Sequence, residues 1–138
     1  FSGFELSDYE INKNGYSYTI DTLTYLQSIN PNSKLVFIMG ADSLSYVEHW
    51  REGQRLLGLC EFAVFRRGGF DFDIEAKIID LTQKYNAKIQ EIPVIESDIS
   101  SALIRKRIKE GLSISGLVPD RVEDYIYKNR LYLNRRFL

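Results

Sequence analysis

The sequence predicts an α/β fold, a parallel sheet with flanking helices. A continuous apolar run at residues 35–39, closed by Gly40, has the character of a strand covered on both faces. Two further short strand-like runs lie at 62–65 and 88–92, and the stretches between the three runs carry helical spacing. Alternating strands and helices of this kind specify parallel pairing through crossover connections.

Each element has a local reason. After Gly15, residues 19–27 place Ile20, Leu23 and Leu26 about one turn apart, with Thr19 expected to cap the helix and Asp21 close behind. Pro31 and Asn32 end the connection to the 35–39 strand, and residues 52–57 predict a short helix. The 62–65 strand is followed by a turn at Gly68 and Gly69. Ile74, Ile78, Leu81 and Tyr85 then form the stripe of an amphipathic helix ahead of the 88–92 strand. Ser100 or Ser101 can cap a helix running to about Glu110 and stopped by Gly111. Pro119 opens a last helix, expected to turn Val122, Tyr125 and Ile126 inward.

At 138 residues, with 44% hydrophobic and 27% charged content, the whole chain 1–138 is sized for one domain with one core. A net charge of −1 supplies no overall field for nucleic acid or anionic lipid, so any anion site must be local. No apolar stretch approaches the roughly 18–20 residues that a membrane span needs, and residues at the amino end of the sequence do not show a basic region followed by an apolar one. The single cysteine, Cys60, sits in an apolar run and reads as a core filler, which fits a reducing, cytoplasmic setting. Residues 1–11 read as the middle of an element, which places the native start upstream of Phe1.

In parallel sheets, ligands sit at the carboxyl ends of the strands, which directs attention to 40–50, 66–69 and 97–105. Gly40 allows close backbone approach, and Asp42 is placed to accept from ribose hydroxyls; a strand-ending glycine with Asp42 as a helix cap is equally open. Ser100, Ser101 and Arg105 combine hydroxyls, free amides and a cation at a helix start, a cradle for phosphate or else a capped surface helix. Trp50 is suited either to stacking on a heteroaromatic ligand or to burial, and Arg66 and Arg67 either to an anion or to the sheet edge. His49 is the only histidine, so no histidine pair, zinc cluster or Ser-His-Asp arrangement can be assembled from this chain.

Four segments, in this order, resemble the nicotinate mononucleotide adenylyltransferase family: 15–23 (GYSYTIDTL), 37–44 (FIMGADSL) with Trp50, 99–105 (ISSALIR), and 117–132, which opens Leu117-Val118-Pro119. The resemblance implies a Rossmann-like nucleotidylyltransferase fold, here incomplete, that uses ATP with Mg²⁺ to adenylylate nicotinate mononucleotide in NAD biosynthesis, releasing pyrophosphate. It implies that Tyr18 and Thr19 supply backbone amides to the nicotinate carboxylate, that Trp50 stacks on the pyridine, and that Arg67 lies beside this pocket. Gly40 and Asp42 match the family's adenosine-ribose contacts, and Ser100, Ser101 and Arg105 its triphosphate-binding helix start.

Three departures stand out. The family's amino-terminal strand and its His-x-Gly-His phosphate grip do not occur in these residues, so a sheet edge is expected to be uncovered, inviting aggregation or a homo-oligomer. Ala102 stands where the family has threonine, and Gly68 where it has proline. Two rivals remain at this point. A pantetheine-phosphate adenylyltransferase shares the reaction type, but Trp50 and the Tyr18-Thr19 pair argue against it. A non-catalytic nucleotide-binding module fits the lack of the histidine motif.

Overall fold

In a computed structural model of the chain, residues 3–66, 73–93 and 98–133 are described. They fall into two compact units, Phe1–Ile95 and Glu96–Leu138. The first contains a short helix α1 (Tyr9–Asn12), α2 (Thr19–Ile29), β1 (Val36–Gly40), α3 (Ala41–Ser45), a 3-10 turn at Val47–His49, α4 (Gly53–Leu59), β2 (Glu61–Phe65), α5 (Ile74–Tyr85) and β3 (Lys88–Ile92). The second contains α6 (Ser101–Lys109) and α7 (Asp120–Lys128).

The three strands form a parallel sheet in the order β1-β2-β3, with Phe37 opposite Phe62 and Phe62 opposite Ile89. Because side chains alternate along a strand, this register puts Phe37, Met39, Phe62, Val64 and Ile89 on one face. That face joins Ile20 and Leu23 of α2, Leu44 of α3, Leu56 and Leu57 of α4, and Ile74 and Leu81 of α5 in one apolar cluster. The other face differs from the expectation for β1. Val36 and Ile38 are 53% and 65% exposed, so the apolar run is covered on one side rather than two. A continuous run cannot distinguish a strand already covered from one whose second face remains open.

Local chemistry fixes the remaining elements. Tyr18, not Thr19, occupies the N-cap position of α2, and no side chain caps that first turn, which corrects the expected Thr19 cap. The reason is register: the Tyr18 carbonyl accepts from the N–H groups of Asp21 and Thr22, so Thr19 already lies inside the helix. Helix α1 is held on α2 by stacked Tyr9 and Tyr25 rings, with centroids 4.2 Å apart, and by a 2.5 Å ion pair from Lys13, just after α1, to Asp21. Asp73 caps α5 by accepting from the Ala76 N–H at 2.9 Å. Cys60 is buried, and desolvation pushes its thiol up to about 11, in keeping with a core filler.

In the second unit the Ser100 hydroxyl accepts from the Leu103 N–H at 3.1 Å, as a capping serine should. Gly111, at φ +71°, follows the end of α6 in the left-handed region that glycine tolerates. Ile104, Ile108, Ile114 and Ile126 form the unit's small core. Of the three α7 residues expected to face inward only Ile126 is buried; Val122 and Tyr125 are 44% and 62% exposed. A short amphipathic helix against a core of four residues buries a narrow stripe, and Val122 and Tyr125 fall outside it.

Candidate functional site

The turn after α3 builds the more informative part of the first unit. Trp50 follows the 3-10 turn, and its carbonyl accepts from the Gly53 N–H at 2.9 Å, closing a tight turn over Trp50, Arg51, Glu52 and Gly53. Glu52 takes φ +51°, in the left-handed region. Gly53 is fixed by space: a Cβ there would lie 2.2 Å from the Val47 carbonyl oxygen. A second anchor comes from Glu48, whose carboxylate accepts hydrogen bonds from Lys77 and, at 2.9 Å, from the Tyr85 hydroxyl, both on α5. These bonds, from Lys77 first and then Tyr85, hold the Glu48 carboxyl below its usual range.

So anchored, Trp50 is neither a core residue nor a free surface ring. It is half-buried, T-shaped against Phe37 at 6.2 Å and tilted against Tyr46 at the same distance. The next residue reaches α2, with the Arg51 guanidinium lying 4.6 Å from the centroid of the Tyr18 ring. This contact joins two segments far apart in sequence, the uncapped start of α2 and the Trp50 turn. The segment carrying Tyr18 and Thr19 thus lies against the turn that carries Trp50, with Arg51 as the contact between them. Beside it, Lys13 is committed to Asp21, whose carboxyl is held below its usual range mainly by the hydrogen bond from Lys13 and in smaller part by Arg51.

Gly40 ends β1 and occupies the N-cap position of α3, so Asp42 stands in the first turn at the carboxyl end of β1. No side-chain cap forms there, so the reading of Asp42 as a helix cap is not realised, and its carboxylate is exposed. Arg66 pairs with Glu91 on β3 at 3.1 Å and so belongs to the sheet edge; Arg67 lies outside the described residues. His49 is an exposed residue of the 3-10 turn.

In the second unit Ser100, Ser101 and Arg105 open on a single recess of about 360 Å³ whose apolar wall includes Val118, Ile126 and Tyr132. Hydroxyls, helix-start amides and an exposed guanidinium at one rim, with hydrocarbon behind them, suit a ligand that joins an anion to a flat apolar body. A larger recess, about 510 Å³, lies in the first unit at the amino ends of the strands. There Lys34 and Lys88 are both paired with Glu61, and no sequence-derived site residue lines it. Size alone therefore does not mark the chemistry, because parallel sheets bind ligands at the opposite ends of their strands.

Sequence reasoning did not find Arg51, Gly53 or the Glu48 anchor. A glycine three residues after Trp50 was the one local signal of the tight turn. Among the described residues no helix is long and apolar enough to cross a membrane, and no group of three or more His, Cys, Asp or Glu side chains could hold a metal ion.

Comparison with known proteins bears on the same segments. Residues 2–107 match a family model described as cytidylyltransferase-like. A Clostridium beijerinckii protein named "Probable nicotinate-nucleotide adenylyltransferase" is 42% identical over 137 residues, covering 96% of this chain and 67% of its own length. The Plasmodium falciparum nicotinic acid mononucleotide adenylyltransferase, solved complexed with APC, superposes at a TM-score of 0.65 with 26% identity, over 86% of this chain and 60% of that one. The same protein complexed with NaAD gives a TM-score of 0.64, again at 26% identity, over 86% of this chain and 58% of that one. This chain thus spans about two thirds or less of the length of these relatives. With residues 2–107 matched by that family model and a relative 42% identical over two thirds of its own length, the chain belongs to the cytidylyltransferase-like family and, within it, to the nicotinate-nucleotide adenylyltransferases.

Proposed function

We propose that the protein carrying this chain transfers the adenylyl group of ATP to nicotinate mononucleotide, forming deamido-NAD and pyrophosphate. The observation that carries this is the contact of Arg51 with Tyr18, which sets an uncapped helix start beside a half-buried tryptophan. An aromatic ring bearing a carboxylate matches that combination: the indole offers a stacking surface, and free amides with a nearby cation favour the anion. Asp42 and Gly40 are assigned to the ribose of ATP, and Ser100, Ser101 and Arg105 to its phosphates.

In this reaction a phosphate oxygen of the mononucleotide forms a bond to the α-phosphorus of ATP, and the bond from that phosphorus to the bridging oxygen of pyrophosphate breaks. The nucleophile is already an anion, so no side chain has to remove a proton. The protein's tasks are alignment and charge neutralisation, which arginine, hydroxyls and helix-start amides perform. Mg²⁺ enters as part of the MgATP substrate, held by its phosphates. A cytoplasmic setting fits a buried, unpaired Cys60.

The test is product formation by the full-length gene product given MgATP and nicotinate mononucleotide, with pantetheine phosphate as the competing acceptor. Formation of deamido-NAD and pyrophosphate, with no adenylylated pantetheine product, is expected. Transfer to pantetheine phosphate alone would replace this assignment.

A further inference from the structure

Among the described cations of the first unit, every lysine has a carboxylate within ion-pair distance: Lys13 with Asp21, Lys34 and Lys88 with Glu61, Lys77 with Glu48, Lys84 with Asp80. Two of the three described arginines are likewise paired, Arg55 with Glu52 and Arg66 with Glu91. Arg51 is the exception. It forms no ion pair or side-chain hydrogen bond among the described residues; its guanidinium lies on the face of Tyr18, 4.6 Å from the centroid, and acts on Asp21 only as a more distant charge. An aromatic face holds the cation without cancelling its charge and leaves its N–H groups without an acceptor among the described residues. The carboxylate on the neighbouring helix, Asp21, is already taken by Lys13. The tight turn closed by Gly53 fixes the backbone on either side of Arg51, and the Tyr18 ring holds the guanidinium at the far end of the side chain.

We propose that Arg51 is a specificity-determining residue of the mononucleotide pocket: its unpaired guanidinium, seated on Tyr18 beside Trp50, receives the carboxylate of the pyridine ring and so selects the acid mononucleotide over the amide. This rests on the assignment of the pocket to nicotinate mononucleotide made above. A planar guanidinium binds a carboxylate through two parallel N–H donors. A carboxamide offers a single acceptor oxygen and turns its own NH₂ donors toward the cation. The helix-start amides of α2 also favour the acid, so Arg51 supplies part of the preference and its removal reduces the preference without abolishing it. The exposure of Arg51 limits its share to about tenfold, since solvent screens charge pairs at the surface.

The experiment measures kcat/KM for nicotinate and nicotinamide mononucleotides in the full-length gene product, with saturating MgATP, for wild type, Arg51→Met and Arg51→Lys. Methionine keeps an unbranched apolar stem against Tyr18 and removes the charge. Arg51→Met is expected to lower use of the acid about tenfold and to change use of the amide less than twofold, with Arg51→Lys recovering part of the loss. The acid preference of wild type should shrink as salt is raised, and that of Arg51→Met should respond less. An unchanged preference in Arg51→Met, or an equal loss for both substrates, overturns the proposal, because Arg51 would then serve only Tyr18, or the phosphate that both substrates share. Failure of wild type to use either mononucleotide overturns the functional assignment itself, and that result is visible before any variant is compared.

Discussion

Trp50 meets Phe37 at right angles, with ring centroids 6.2 Å apart and planes at 85°, and Phe37 meets the fully buried Phe62 in the same manner at 6.1 Å. The three rings lead from the centre of the sheet to the surface of the first unit. Trp50 is thereby held rigidly at its inner side while part of the ring stays open, the arrangement a stacking platform requires.

Trp50→Ala in the full-length protein is accordingly expected to raise KM for both the acid and the amide mononucleotide about tenfold, with the acid still preferred. Stacking uses the ring face, which the two substrates share. Steady-state kinetics with each substrate checks this, and loss of the preference in the variant would move discrimination onto Trp50.

Gly53→Ala should be among the most damaging single-methyl changes in the first unit, because the new Cβ would meet the Val47 carbonyl oxygen at 2.2 Å. Backbone oxygen cannot rotate away as a side chain could, so the turn carrying Trp50 and Arg51 must shift. A loss of about 2–3 kcal/mol in urea unfolding is expected, with a raised KM for mononucleotide. Wild-type stability in Gly53→Ala would contradict the turn geometry.

The Glu48 anchor predicts a pH dependence. Its folded carboxyl titrates below the ordinary value of 4.5, so it stabilises the fold fully above that value and loses the effect as pH falls through the lower folded one. Glu48→Gln should therefore be less stable than wild type by about 1 kcal/mol near neutrality, and the gap should close on acidification. Unfolding curves of the two proteins between neutral and acid pH read this directly. A gap that persists at the acid end would mean that packing, not charge, is lost.

Arg105→Ala tests the second unit. With the guanidinium removed from the Ser100–Ser101 rim, KM for ATP should rise about tenfold to a hundredfold while KM for mononucleotide changes little. Ala102→Thr should leave both within about twofold, since position 102 is exposed and threonine at the start of a helix costs little. The reverse pattern, with mononucleotide affected and ATP spared, would exchange the two assignments.

The free side of β1 gives a prediction about association. Val36 and Ile38 are exposed on an edge strand, so the 138-residue chain alone is expected to self-associate, and Ile38→Lys to reduce this. Sedimentation across a concentration series measures it. Monomeric behaviour of the unsubstituted chain at all concentrations would contradict the expectation.

The sheet was legible because its signals are local. β3 runs over the residues read from the sequence, and β2 starts one residue earlier, at Glu61, whose charge is offset by Lys34 and Lys88. The Ser100 cap and the Gly111 stop were readable for the same reason. Features settled by distant partners were not. The four-residue α1 has no strong propensity of its own and depends on the Tyr9–Tyr25 stack. Whether Trp50 would be buried or open depended on Phe37 and Tyr46, and Arg51 acquires meaning only when the fold brings it over Tyr18.

The most direct measurement is the ratio of kcat/KM for nicotinate over nicotinamide mononucleotide in the full-length wild-type protein with MgATP. The uncapped start of α2, with the Arg51 guanidinium beside it on Tyr18, predicts a ratio of about a hundred, since two donor groups facing a neutral amide each forfeit about 1–3 kcal/mol, partly screened. A ratio near one would contradict the carboxylate pocket at Tyr18 and Thr19, and with it the site on which the assignment rests.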